Sequence, residues 1–364
     1  MKTVRRLLYA DIVSSVALVA LAFLSLFFFI DFVDELSAGG APGYSALSAV
    51  AYSVLLMPGH LYELLPIAVL IGAIYALSRM AQSSEFTILR TGGLGPVRAL
   101  RLLTLLGLGF GVLTFVVGDY LAPWAEAQAA HSQAESRGNL NLGRSGAWLK
   151  DHAVTPQGER NYSINVGGVG SRGALRDVRI FEFDSDGRLL RRVAAEQVRI
   201  ENNAPWALTN VKLTQWESQN VTQTQLEKMT WPSSLDAKVV AAAVLPLTTM
   251  STVDLARYIS HLADNEQAAQ QYQIQFWKRA LYPLACSVMM ALALPFAYLQ
   301  TRAGSISLKV FGGIMLGISF VLLNNVAGHL GVLRDWTPWI VASAPSALYL
   351  LFSLAAFGWL VRFR

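Results

Sequence analysis

The sequence has little cysteine and little charge. A single cysteine, Cys286, among 364 residues excludes an internal disulfide and a cysteine-rich zinc site. Charged residues make up 15% of the chain, against about 25% in an average soluble protein, whereas 54% of the residues are hydrophobic. Because the apolar residues are gathered in blocks near both ends, the composition predicts two membrane parts that flank a soluble part.

Motifs for nucleotide hydrolysis and for hydrolytic catalysis are absent as well. Without G-x-x-x-x-G-K-S/T the chain cannot build the phosphate cradle of P-loop proteins, so any ATP-driven work has to come from another subunit. The five histidines form no H-E-x-x-H, and no G-x-S-x-G is present. Residues 168–173 match G-x-G-x-x-G, but period-two alternation follows instead of a helix, which indicates a loop between two strands. We therefore expect no catalytic residue, metal or cofactor, and no nucleic-acid partner.

Six apolar runs are long enough to cross a membrane as helices, since a span needs about 20 mostly apolar residues. They lie near Ile12–Ile30, Leu61–Leu77, Leu100–Leu121, Leu281–Leu299, Val310–Leu330 and Trp339–Val361. The first run is longer than the roughly 7 to 15 residues of a secretory signal, which predicts an uncleaved anchor. The predicted fold class is a mixed membrane protein: six transmembrane α-helices, three and three, with an inserted extracytoplasmic all-β, jellyroll-like domain.

Lysine and arginine near the span ends predict the orientation in the membrane. One side collects Lys2, Arg5, Arg6, Arg79, Arg90, Arg98, Arg101, Arg302, Lys309, Arg362 and Arg364. The short segments on the other side, residues 31–60 and 331–338, contain a single lysine or arginine, Arg334. We therefore expect the first side, with both termini, to lie in the cytoplasm.

The polar middle of the chain has short strand-like patterns. Apolar and polar residues alternate in segments 162–166, 178–183, 198–200 and 211–216, with turns at 184–187 and 202–205. This pattern predicts an all-β domain with one buried face, a sandwich or an open jellyroll. Residues 123–133 predict a helical extension of the third span, and Ser251 with Asp254 predicts a cap for a helix through Leu262. The predicted domains are 1–122, 123–270 and 271–364.

The connection between the second and third spans predicts a short helix near residues 84–91. Ser83 or Ser84 is a suitable cap, Glu85 suits the positive end of the helix, and Gly92 suits its end. Its apolar residues outside the membrane are Phe86, Ile88 and Leu89. The pattern alone fits a helix lying on lipid and a docking helix for a cytosolic partner about equally well.

Small and charged residues in the spans have two interpretations each. Two small-residue pairs allow close helix approach, inside the chain or at a subunit interface: Gly107 with Gly111, and Gly313 with Gly317. Internal packing is favoured for the second pair, and intramolecular hydrogen bonding for Asn324 and Asn325. The charged residues near the outer span ends are Glu63, Asp119, Lys278 and Arg279. These residues either reach the interface or, if they face inward, meet a charged lipid headgroup.

Five short segments, taken in order, resemble the LptF/LptG family of lipopolysaccharide export permeases. They are 32–36 (FVDEL), 80–86 (MAQSSEF), 118–123 (GDYLAP, followed by Glu126), 148–151 (WLKD) and 272–278 (YQIQFWK). Their order, spacing and agreement with the hydropathy layout extend the resemblance over essentially the whole chain. The resemblance implies a permease subunit without enzymatic activity of its own and a β-jellyroll outer domain.

The resemblance also implies partners and site residues. The partners are an LptF-type permease, an LptB-type ATPase dimer, and LptC- and LptA-type periplasmic proteins, which together move lipopolysaccharide from the inner membrane of a Gram-negative cell. Ser84, Glu85, Phe86 and Leu89 map onto the coupling helix of the family, which favours docking over lipid. Basic residues that commonly line the family's cavity are replaced here by Asp31, Ser37, Ala38, Ala130 and Gln133. Lys278 and Arg279, or the partner permease, would then supply the charge for lipid headgroups.

Three other functions compete with the permease. A membrane receptor that senses a ligand through its outer β-domain would need neither a permease partner nor an ATPase, so co-purification separates the two. A membrane-embedded hydrolase is weaker because the candidate nucleophiles lack a histidine partner. An ion-coupled transporter is weaker because charged residues are scarce in the middle of the spans.

Overall fold

A computed structural model describes most of the chain as two compact units. The described residues are 2–38, 45–137, 140–141, 146–155, 158–169, 174–200, 205–216, 220–233, 235, 240, 250–264, 269–298 and 306–363. One unit, the helical unit, contains Met1–Glu35, Leu56–Ala122 and Gln273–Arg364. The other, the sheet unit, contains Leu36–Leu55 and Pro123–Tyr272. The domain assignment made from the sequence, with its cytoplasmic and periplasmic parts, stays a prediction.

Long apolar helices dominate the described parts of the chain. The helices are α1 (Lys2–Ala38), α2 (Ala46–Gln82), α3 (Glu85–Thr91), α4 (Pro96–Val116), α5 (Ala122–Arg137), α6 (Thr252–Asp264), α7 (Gln270–Tyr298), α8 (Ile306–Leu333) and α9 (Pro338–Phe363). A π-helical turn, Val117–Leu121, joins α4 to α5. Six helical segments are long and apolar enough to span a membrane: α1, α2, α4 with the start of α5, α7, α8 and α9. The six predicted spans, and the predicted extension of the third span, are therefore confirmed.

Helix α2 is the most enclosed of the six spans. Its residues 65–74 are all buried, and they pack against buried residues such as Leu8 of α1, Leu103 of α4 and Met290 of α7. Helix α1 differs, because large apolar side chains such as Leu18 stay exposed on it. An apolar surface of this kind is suited to lipid or to another membrane subunit.

Glycines allow the spans to approach each other closely. A Cβ added at Gly107 would lie 2.7 Å from the Cα of Ser287, and one at Gly111 would lie 2.7 Å from a carbonyl oxygen of α7. Both glycines of α4 therefore face α7. In the same way Gly313 and Gly317 of α8 face isoleucine side chains of α2. Both small-residue pairs pack inside the chain, as favoured for the second pair from the sequence.

The sheet unit contains a single antiparallel sheet in its described residues. Its strands are β1 (Leu140–Asn141), β2 (Ala147–Thr155), β3 (Gly158–Val169), β4 (Leu175–Phe183), β5 (Leu189–Arg199), β6 (Trp206–Trp216) and β7 (Val221–Trp231). The order is β1-β3-β4-β5-β6-β7, and β2 also pairs with β3, next to β1. One face carries the core, in which Ile164, Ile180, Trp206 and Trp231 are buried. The predicted inserted β-domain with one buried face is confirmed.

The turns, the helix cap and the short strand predicted for this unit agree with the structure to different degrees. The turn at 184–187 is confirmed, since the Asp184 carboxylate accepts hydrogen bonds from the backbone N–H groups of Asp186 (3.0 Å) and Arg188 (2.7 Å). The cap of α6 is confirmed too, because the Ser251 Oγ accepts from the Asp254 N–H at 3.1 Å. The predicted strand 198–200 is the end of β5 and not a separate strand. Residues 202–204 of the predicted second turn and residues 170–173 of the glycine-rich loop lie outside the described part of the chain.

Candidate functional site

A cavity of about 410 Å³ lies in the helical unit, among α1, α2, α7 and α8. Apolar side chains form much of its wall: Phe27, Leu64, Ile67, Ile318, Val321 and Leu322. Polar and charged side chains complete the wall: Tyr62, Glu63, Gln275, Lys278, Arg279, Tyr282, Asn324 and Asn325. The cavity is therefore amphipathic, and it brings together three of the four charged residues that the sequence places at the outer span ends.

Lys278 reaches across the cavity from α7 to α8. Its Nζ donates a hydrogen bond to the backbone carbonyl of Asn324 at 2.8 Å. Gly328, one turn further along α8, leaves room for the lysine, because a Cβ there would overlap the Nζ. An ammonium group has three donors, and this bond uses one of them. Lys278 is half-buried and is thus a cation held at the cavity wall with donors to spare.

Arg279, the next residue, is bound more fully by the protein. It is 6% exposed, and its Nη2 donates to the Gly118 carbonyl at 2.6 Å. That carbonyl belongs to the π-helical turn after α4, where the regular hydrogen-bond ladder is interrupted. The guanidinium also lies 5.6 Å from the centre of the Tyr62 ring. Arg279 therefore joins α7 to α4 and α2, in addition to lining the cavity.

Two further contacts organise the same end of the bundle. The Tyr282 hydroxyl donates to the Glu63 carbonyl at 2.5 Å and joins α7 to α2. His60 Nε2 lies 2.7 Å from the Asp31 carboxylate and connects α2 to α1. Asp31, which stands where the family commonly has a basic cavity residue, is thus paired within the chain.

Helix α3 has the predicted length but begins in an unexpected way. Ser84 at its N-cap has a left-handed backbone, with φ of 63°, and makes no side-chain capping bond. The expected serine cap is therefore wrong at Ser84. Gly93, with φ of 99°, and the hydrogen bond from the Leu94 N–H to the Leu89 carbonyl end the helix as predicted after Thr91.

The side chains of α3 divide between two faces. Phe86 is buried, and its ring packs edge-to-face on Tyr298, the last residue of α7, with ring centres 5.2 Å apart. The Arg90 guanidinium lies 5.0 Å from the centre of the same tyrosine ring. Leu89 is half-buried, whereas Glu85 and Ser84 are exposed. Ile88 is 66% exposed and is the apolar side chain that α3 offers to solvent.

Sequence reasoning identified both cavity cations and the α3 helix but missed several neighbours. His60, Tyr62, Tyr282 and Tyr298 were not singled out, although each forms one of the contacts above. The available signal was weak: tyrosine is common at the ends of spans for interfacial reasons alone. Among the described residues, no group of three or more histidine, cysteine or carboxylate side chains could hold a metal ion.

The fold is that of a multi-pass membrane protein, with six spans divided by a sheet unit and a short helix between spans two and three. Its amphipathic cavity, with cations in the wall, suits an amphiphilic substrate. Comparison with known proteins gives the family. Residues 6–359 match the family described as lipopolysaccharide export system permease LptF/LptG, and the chain belongs to this family.

Individual relatives agree with the family match. The chain is 28% identical over 329 residues to the lipopolysaccharide export system permease protein LptG of Escherichia coli K12, with 89% of each chain covered. It is 26% identical over 352 residues to the LptG protein of Haemophilus influenzae, with 96% of each chain covered.

Proposed function

We propose that this chain, a lipopolysaccharide export permease subunit by its family, is the LptG-type subunit of a transporter in the inner membrane of a Gram-negative cell. The family match over residues 6–359 is the observation that carries this proposal. In the proposed orientation, α3 and both termini lie in the cytoplasm and the sheet unit lies in the periplasm. Family membership favours this function over the receptor, for which no observation speaks.

The cavity is proposed to receive part of the lipid. Its volume of about 410 Å³ is typical of a small-molecule pocket and is too small for a whole multi-chain lipid. An LptF-type permease is proposed to complete the cavity, through exposed apolar surfaces such as that of α1. The apolar wall would then contact acyl chains, and the polar end would contact the headgroup.

The two predicted headgroup contacts are proposed to have different roles. Lys278 would bind a lipid phosphate, because its Nζ has donors beyond the bond to the Asn324 carbonyl. Arg279 would chiefly hold α7 against α4, because its guanidinium is already bound to Gly118 and packed on Tyr62. Lys278→Gln should lower the amount of lipopolysaccharide that co-purifies with the protein, and Lys278→Arg should retain it. Equal lipid in all three proteins would contradict the phosphate role.

Helix α3 is proposed to couple the chain to an LptB-type ATPase dimer. Ser84 and Glu85 lie exposed at its N-terminus, and Leu89 and Ile88 add apolar surface. Phe86, the fourth predicted coupling residue, would act from the inside by fixing the helix to Tyr298 at the end of α7. Movement of the ATPase would thereby reach the span that carries Lys278, and LptC- and LptA-type proteins would receive the lipid.

Glu85→Lys tests the proposed function. The exposed carboxylate stabilises the helix N-terminus by about 0.3–1 kcal/mol, so the substitution should leave the protein folded. We expect loss of the co-purifying ATPase and of ATP-dependent lipid release from proteoliposomes. Thr87→Lys, which introduces a lysine at an exposed neighbour without removing a carboxylate, is the control for the added side chain. Normal assembly and lipid release with Glu85→Lys would contradict the coupling role.

A further inference from the structure

The face of the sheet opposite its core carries an unusual set of side chains. Two neighbouring cross-strand rows follow from the strand register. One row is Trp148, Asn165, Arg179, Ala194 and Lys212, and the next is Lys150, Ser163, Phe181, Arg192 and Thr214. We call these ten residues the basic face. It contains four cations, two aromatic rings and no carboxylate.

The cations of the basic face are not neutralised within the described residues. No ion pair forms there to Lys150, Arg179, Arg192 or Lys212, whereas on the core face Arg191 pairs with Glu182. Neighbouring strands lie about 4.8 Å apart, which puts Arg179 and Lys212, two strands apart, about 10 Å from each other. This spacing exceeds the Debye length of about 8 Å at physiological salt, so the repulsion between the two exposed charges is largely screened and both can stay charged on the same face. An anion bound between them would lie within reach of both cations.

Arg192 is held in place rather than left mobile. Its guanidinium lies 5.8 Å from the centre of the Phe181 ring, and that ring is stacked on Trp148 with ring centres 6.0 Å apart. Its Nε is buried and has no hydrogen-bond partner in the described part of the chain. Trp148 is 54% exposed and leaves aromatic surface beside the cations.

We propose that the basic face binds a phosphate-bearing oligosaccharide, namely the phosphorylated sugar portion of the exported lipid. Arginine forms paired, charge-assisted hydrogen bonds with phosphate, and an exposed tryptophan offers a flat apolar surface to a sugar ring. The small side chain of Ala194 leaves room between Arg179 and Lys212. The face would hold the hydrophilic part of the lipid while the acyl chains lie elsewhere. This inference rests on the proposed function, since it takes its ligand from the exported lipid.

The test uses the full-length protein, purified with its co-purifying subunits. The probes are the core oligosaccharide freed of its acyl chains, the same oligosaccharide after phosphatase treatment, and vesicles of anionic phospholipid. Arg179→Gln with Arg192→Gln should weaken binding of the phosphorylated probe by about tenfold for each arginine. Phosphatase treatment should weaken its binding to the wild-type protein comparably.

A charge-matched control separates this site from a general effect of charge. Arg188→Gln with Arg257→Gln removes two exposed cations of the same unit that lie in a turn and on α6. This control should bind the phosphorylated probe as the wild type does. Unchanged binding by the double variant of the basic face would overturn the inference, and so would loss of vesicle binding alone, which would make the face a membrane contact. Co-purification of the ATPase, measured on the same samples, reports on the proposed function separately.

Discussion

Phe86→Ala is expected to release helix α3 from the end of α7 while leaving the rest of the helical unit folded. The phenylalanine ring is 3% exposed and packs on Tyr298. Helix α3 has seven residues, and a helix of this length is not stable by itself in water. Its stability must therefore come from such tertiary contacts, of which the Phe86 ring is the largest buried one.

The magnitude follows from the buried ring. Truncating a buried phenylalanine to alanine costs about 3–5 kcal/mol. If about 3 kcal/mol of this cost falls on the opening of α3, amide exchange in the helix should accelerate more than a hundredfold, since each 1.4 kcal/mol is about tenfold. Hydrogen exchange followed by mass spectrometry on a peptide covering residues 84–91 measures this change.

Ile88→Ala supplies the matched control in the same helix. Its side chain is 66% exposed, so truncation should change the stability of α3 by no more than about 0.5 kcal/mol. Exchange should stay close to that of the wild type. Equal acceleration in both variants would refute the claim that Phe86 anchors α3 from the inside.

Two further predictions concern packing and capping. Gly107→Ala should destabilise the detergent-solubilised protein by about 1–3 kcal/mol, because the new Cβ would lie 2.7 Å from the Cα of Ser287. Gly109→Ala, which meets nothing within 4 Å, should not lower the thermal midpoint, and equal loss in both variants would contradict the packing argument. Ser251→Ala should cost α6 about 1 kcal/mol by removing the acceptor for the Asp254 N–H, seen as faster amide exchange at the start of α6. Unchanged exchange there would show that this cap is dispensable.

Elements that depend on local patterns were predictable from the sequence. The apolar run 12–30 lies inside α1 because spanning a bilayer requires a continuous apolar surface. The alternation in 178–183 became β4 because one face of the sheet is buried. Strand β7 was missed because it lies at the edge of the sheet and nearly all of its residues are exposed, so its sequence carries little apolar alternation.

Features that depend on distant partners could not be predicted. The side chain of Arg279 bonds the carbonyl of Gly118, 161 residues away, and no local pattern encodes that pairing. Phe86 illustrates the same limit, because a short amphipathic segment does not reveal which of its apolar side chains turns inward. The basic face could not be predicted because its cations come from four different strands, and only the register of the sheet brings them together.

The orientation of α3 and the sheet unit on opposite sides of the membrane is the central claim, and thiol labelling tests it most directly. The single native cysteine is buried, so the wild-type protein should give little background. Arg188→Cys in the turn before β5 and Thr87→Cys on α3 place new thiols at exposed positions of the two parts. In intact spheroplasts, a membrane-impermeant thiol reagent should label the cysteine at position 188 and spare the one at position 87. Labelling at position 87 with none at position 188 would contradict the account.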